Sequence, residues 1–159
     1  MRLSRLQAVP WYPEIMKTTA ANRRAEFDYE ILERFEAGLV LSGHEVKSVR
    51  LGNPNLAGAR AIIRGEEAYV VGLQIPSFQP GNEPDGYDAE RTRKLLLSKE
   101  EIQRLFGKTQ TGLTLIVTKL YSKNRLLKLE VALARGKKKY DKREAIKKKE
   151  TQREIRRSL

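Results

Sequence analysis

The stretch LTLIVTKLYSKNRLLKLEVALA, residues 113–134, decides the fold. Two runs rich in Leu, Ile and Val, LTLIVTKLY and LLKLEVALA, flank SKNR, a turn short enough to close an antiparallel hairpin. Asn124 can take the left-handed conformation that such a turn requires. Upstream, FDYEILERFEAG (residues 27–38) alternates apolar and polar at Phe27, Tyr29 and Ile31, shifts phase at Leu32 and resumes at Phe35 and Ala37. A phase shift inside a strand predicts a β-bulge. ARAIIRG, AYVVGLQI and RKLLLS add further short runs, so six strands make a β-rich domain.

Two helix starts are written in local chemistry. In LSGHEV, Ser42 can accept from the backbone N–H of Glu45 while the Glu45 carboxylate reaches back to Ser42, and Leu41 can pack on Val46. LSKEEI repeats the arrangement with Ser98, Glu101, Leu97 and Ile102. Each is a capping box with a hydrophobic staple, which predicts helices from 42 to about 52 and from 98 to about 107–112. Residues 76–88, with three prolines and two glycines, read as a long exposed loop. The chain shows no internal repeat.

A chain of 159 residues suits one domain with tails. Three segments are expected: an unordered extension over 1–21, a β-rich domain over 22–134, and a basic tail over 135–159. No apolar run is long enough to span a bilayer. The N-terminus lacks the apolar core of a signal peptide and is interrupted by Pro10 and Pro13, so a cytoplasmic location is expected. Cysteine is absent, which removes disulfides, thiol nucleophiles and cysteine-based zinc sites.

Charge is concentrated at one end. The net charge is +12, and residues 135–159 hold twelve basic side chains against four acidic ones. Such a segment suits a polyanion, because phosphates release counterions when Lys and Arg replace them. The bland alternative is a solvated tail that serves solubility alone. The tail is free of Gly and Pro after Gly136, so it is helix-capable, but Ala145, Ile146, Ile155 and Leu159 are too few to dock it on a core. It is expected to be unfolded alone and to become helical on a partner.

Enzyme chemistry finds little support. His44 is the one histidine and falls in the first turn of a helix, a capping-region position. Ser42 shares that turn, so no nucleophile, base and orienting acid can be assembled. Glu36 and Glu130 lie on strands without metal-ligand spacing, and no Gly-rich phosphate loop is present. No catalytic residue, metal or cofactor is expected.

Taken together, NRRAEFDYEILERFEAGLVLSGHEVKSVRLGNPNL, RTRKLLLSKEEI and ARGKKKYDKRE resemble the small protein B family, the SsrA-binding proteins of bacterial trans-translation, from about Asn22 to the C-terminus. The resemblance implies a closed antiparallel β-barrel of oligonucleotide-binding type with flanking helices and a basic tail. It also implies partners: the tRNA-like domain of transfer-messenger RNA (tmRNA), bound one-to-one by a monomer, and the decoding centre and mRNA channel of the small ribosomal subunit. The protein would accompany the charged RNA into the A site of a stalled ribosome, with the tail sensing whether mRNA fills the channel.

By the same resemblance, Glu36, Leu96 and Lys128 belong to the RNA-binding face. Asn22, Arg23, Arg24, Lys47, Arg50, Arg91, Arg93 and Lys94 are further candidate RNA contacts. In the tail, Asp141, Lys142 and Arg143 match the family's DKR segment, beside Lys137 and Lys138. Tyr140 stands where a ring could stack on a base, and Ile155 where a late apolar anchor is used. Met16 is the expected start, with residues 1–15 a roleless upstream extension. On the residues alone, two other readings stay open: another ribosome-associated barrel protein, such as a ribosomal protein or initiation factor, and a nucleic-acid-modifying enzyme.

Overall fold

A computed structural model of the chain describes residues 16–79, 81, 83–137 and 139–158. The hairpin of residues 113–134 forms as expected, from β6 (Thr114–Lys123) and β7 (Leu126–Gly136). Asn124 and Arg125 turn the chain with φ of 50° and 68°. That pair of left-handed residues matches the twist of the two strands.

β2 (Tyr29–Leu39) lies antiparallel on the other edge of β7, and its register slips between Ile31 and Glu33. The slip is the bulge that the phase shift at Leu32 predicts, and it turns Leu32 to solvent at 43% exposure. β3 (Arg60–Arg64), β4 (Glu67–Val71) and β5 (Arg93–Leu96) connect β6 back to β2 in the order β6-β3-β4-β5-β2-β7. Because β6 also pairs with β7, these six strands close into an antiparallel ring. Its interior is filled by Ala37, Val70, Leu73, Leu95, Leu120, Leu129 and Val131, each at most 1% exposed.

A seventh strand, β1 (Met16–Ala21), pairs with β6 from Lys123 to Lys119. This corrects the boundary of the expected extension, since its last six residues are ordered as a strand. MKTTAA shows no apolar alternation. The partner explains it: β3 covers β6 only at Leu115 and Ile116, which leaves the rest of that edge free for another strand. Residues 1–15 lie outside the described residues.

A short helix, α1 (Ala25–Asp28), follows β1. Ala25 packs with Ile116, Ala132 and Ala134 in a second small cluster separate from the ring's interior. Helices α2 (Gly43–Arg50) and α3 (Lys99–Thr109) begin at Ser42 and Ser98, and both capping boxes are complete. Replacing either cap by alanine costs about 1 kcal/mol.

The tail is helix α4 (Lys139–Ser158) in the chain alone, where the sequence leads one to expect no structure without a partner. Its root is held by α1: the Lys137 backbone N–H donates to Asp28 O at 3.0 Å. Lys137 Nζ donates to Glu26 O at 2.7 Å, and Lys142 Nζ lies 3.4 Å from Asp28 Oδ1. Beyond Lys142 the described side chains are exposed, as the shortage of apolar residues requires. Among the described residues no helix is long and apolar enough to cross a membrane.

Candidate nucleic-acid interface

The outer face of β2, β7 and β6 is built from the residues that alternate with the core. Leu129 and Val131 point inward, so Lys128 and Glu130 point out. Cross-strand pairing sets two neighbouring rows on that face, Gly38–Lys128–Tyr121 and Glu36–Glu130–Lys119.

In the first row, Lys128 borders a concavity of about 330 Å3 shared with Arg50, Leu96, Arg125 and Leu126. Leu96 and Leu126 are 56% and 60% exposed, so apolar surface lies open between three cations. Gly38 is what lets Leu96 lie there. A Cβ on Gly38 would stand 3.1 Å from the Leu96 Cβ, and the two residues are direct partners across β2 and β5. Arg50 Nη2 reaches the carbonyl of Arg125 at 3.4 Å, joining the end of α2 to the hairpin turn.

In the second row, two carboxylates stand directly opposite each other, an arrangement that costs stability unless each is compensated. Glu130 accepts from the Thr118 hydroxyl and from Arg34 Nη1 at 3.2 Å, with Lys119 Nζ at 3.8 Å. Glu36 accepts from the Tyr121 hydroxyl at Oε2, and Lys123 Nζ is 3.5 Å from the same oxygen. The Tyr121 hydrogen bond, helped by Lys123 and Lys128 against slight desolvation, holds the Glu36 carboxyl below the usual range. Burial, then the hydrogen bond and charge of Glu36, push the Tyr121 phenol well up. Arg34, Glu36, Lys119, Tyr121 and Glu130 line a shallow concavity of about 290 Å3.

Arg50, Leu96 and Lys128 are thus brought together, and Glu36 lies one row away. The other sequence candidates scatter. Asn22, Arg23 and Arg24 line a separate concavity of about 520 Å3 with Arg60. There Asn22 is tied to β6, its backbone N–H donating to Thr118 O at 2.7 Å and its side chain to Val117 O at 3.3 Å. Arg24 lies 3.8 Å from Asp28. Lys47 is exposed, with Nζ 5.8 Å from the Phe78 ring centroid, and Lys94 pairs with Glu67 at 3.0 Å.

Arg93 is a correction: it is 0% exposed and cannot reach an RNA. Nε donates to Glu45 Oε2 at 2.6 Å, Nη1 to Leu73 O at 2.7 Å and Arg91 O at 3.1 Å, and Nη2 to Ala89 O at 3.0 Å. Arg91 also spends its guanidinium on Glu45, through both Nε and Nη2. Burial pushes the Glu45 carboxyl up, but Arg91, the Ser42 N–H and Arg93 together hold it below the usual range. The capping carboxylate of α2 is therefore also the anchor of two arginines.

His44 has a structural setting. Phe78 N donates to its Nε2 at 3.2 Å, Ser77 Oγ lies 3.2 Å from the same atom, and the Tyr87 ring meets it edge-on at 4.9 Å. With Ser48 Oγ donating to Pro76 O at 2.6 Å, these contacts pin both ends of the 76–88 loop to α2. Among the described residues no group of three or more His, Asp or Glu stands together to hold a metal.

In the tail, Lys137 and Lys142 contact α1, while Arg143 and Ile155 are exposed on α4. Lys138 and the side chains of Tyr140 and Asp141 lie outside the described residues. Sequence reasoning passed over Gly38, Lys119, Tyr121, Lys123 and Arg125. The signals were a glycine inside a strand run and the period-two spacing of Lys119, Tyr121 and Lys123.

Comparison with known proteins converges on one group. The family described as SmpB protein matches residues 19–159. An SsrA-binding protein of Acaryochloris marina is 48% identical over 147 residues, 92% of this chain and 96% of that one. Another, from Thermosipho melanesiensis, is 49% identical over 91% of this chain and 99% of its own length. A solved chain described as "tmRNA-SmpB: a journey to the center of the bacterial ribosome" is 44% identical, with a TM-score of 0.64, covering 80% of this chain and 93% of that one.

Proposed function

The chain belongs to the SmpB protein family, and from that premise we propose that it binds tmRNA and carries it to stalled ribosomes for trans-translation. The observation that carries the reading is the composition of the β2-β7-β6 face. Lys128, Arg50 and Arg125 surround open apolar surface at Leu96 and Leu126, and an acceptor, Glu36, stands one row away. Cations suit phosphates, whereas a carboxylate among them suits a donor on a base or a ribose. The barrel takes the tRNA-like domain on this face, with Arg23 and Arg24 as a separate backbone contact.

Helix α4 is the ribosomal element. A detached basic helix can lie in a channel walled by ribosomal RNA, with Lys and Arg neutralising phosphates on its sides. An mRNA already filling that channel would exclude it, which couples delivery to stalling. The protein acts in the cytoplasm by binding alone, with no catalytic step of its own.

The test is competition binding at fixed, near-physiological salt, setting the tRNA-like domain of tmRNA against bulk tRNA and a ribosomal RNA fragment. Salt must be held because any basic chain binds any RNA when it is low. Strong preference for the tRNA-like domain is expected. Equal binding to all three would reduce the protein to a general basic RNA binder.

A further inference from the structure

Glutamate on an open strand face has three rotatable bonds, and an unrestrained Glu36 would swing among the ammonium groups around it. Its orientation is instead held by Tyr121. That ring is packed against the sheet, only 3% exposed, and its hydroxyl donates to Glu36 Oε2. Lys123 approaches the same oxygen at 3.5 Å. Among the described contacts both fall on Oε2, and Glu36 lines the concavity shared with Lys119 and Glu130. Across the strand pair, Glu130 repels Glu36 while being occupied by Thr118 and Arg34.

We propose that Tyr121 is a positioning residue of the RNA-binding face: its hydroxyl aims Glu36 so that Oε1 accepts a hydrogen bond from a donor on the RNA, a ribose 2′-hydroxyl or a base amine. The inference rests on the function proposed above. A phenol suits this task better than a lysine, because a buried ring fixes the hydroxyl while an ammonium on a flexible stem does not. The row of paired carboxylates also repels phosphate, so the RNA backbone is steered to the cations on either side and a sugar or base edge to the centre.

The experiment is a double-mutant cycle of Tyr121→Phe and Glu36→Gln, read as affinity for the tRNA-like domain at fixed salt. Each single variant is expected to lose about 3- to 10-fold, the value of one hydrogen bond, and the double variant no more than Glu36→Gln alone. The same Tyr121 change combined with Lys128→Ala is expected to be additive, which a general loss of packing would not distinguish by partner. Single 2′-deoxy substitutions in the RNA separate the donors. A deoxy penalty that vanishes in both variants marks a ribose, and penalties unchanged at every position mark a base amine.

Tyr121→Phe with unchanged affinity, beside a Glu36→Gln that loses it, would overturn the inference and leave the proposed function standing. An equal Tyr121→Phe loss in the Glu36→Gln background would overturn it as well. Absence of any preference for the tRNA-like domain in the wild-type chain would instead remove the function on which it rests.

Discussion

Replacing Arg93 by alanine tests whether this arginine belongs to the fold or to the RNA. The side chain is fully buried and makes four described hydrogen bonds, one to the Glu45 carboxylate and three to the carbonyls of Leu73, Ala89 and Arg91. Breaking one partner of a buried pair costs about 3–5 kcal/mol, and a stranded carbonyl about 1–3 kcal/mol. These costs do not add, because Arg91 still faces Glu45 and water can enter the vacated space, so about 3–4 kcal/mol is expected. For a domain of this size each kcal/mol moves the melting temperature by about 2–4 °C, giving a fall of roughly 10 °C. Far-UV circular dichroism during heating and in urea measures it. RNA affinity per folded molecule, taken well below the transition, stays at the wild-type value with an unchanged salt slope. A variant that melts within about 2 °C of wild type but loses affinity and salt slope would refute the buried-anchor reasoning.

Three further outcomes are expected. Lys128→Ala weakens binding of the tRNA-like domain by on the order of 1 kcal/mol and lowers the salt slope by about one, measured by titration at several salt concentrations. Glu45, whose carboxyl is held below its usual range in the fold, contributes stability above the unfolded value of about 4.3 that is lost as pH falls through the folded value. Melting temperature between pH 6 and pH 3 therefore falls more steeply for wild type than for Glu45→Gln. Truncation after Gly136 removes α4 with its Lys142–Asp28 pair, worth at most about 1 kcal/mol, and the two hydrogen bonds from Lys137 to α1, whose acceptors at the protein surface can turn to water. It leaves barrel melting and RNA affinity nearly intact while tagging on stalled ribosomes is abolished.

What the sequence reveals here is whatever local chemistry decides. The bulge at Leu32, the boxes at Ser42 and Ser98 and the turn at Asn124 are properties of a few adjacent residues, and each appears where the residues put it. β1 escapes because its reason for being a strand is the uncovered edge of β6, a partner a hundred residues away. Arg93 misleads for a related reason. Its alternation with Leu95 marks it as inward-facing, but the charge argues otherwise until the Glu45 carboxylate is known to sit behind it. Within the site, Lys128 and Glu36 are singled out by the family resemblance, since alternation alone makes them ordinary outward-facing strand residues, whereas the tie between Glu36 and Tyr121 joins strands far apart in the chain.

The ring closes through β7, the last of the described strands in chain order, which must pair with both β6 and β2. Tyr29 waits for Gly136, so during synthesis the early strands emerge with an open edge and no partner. The hairpin can form locally, but the β2–β7 seam requires closing a loop that spans nearly the whole domain, a slow step for any chain. A nascent chain halted anywhere before β7 is an unsealed sheet. A factor whose own synthesis stalls late would thus be left with an exposed strand edge, prone to aggregation and to proteolysis.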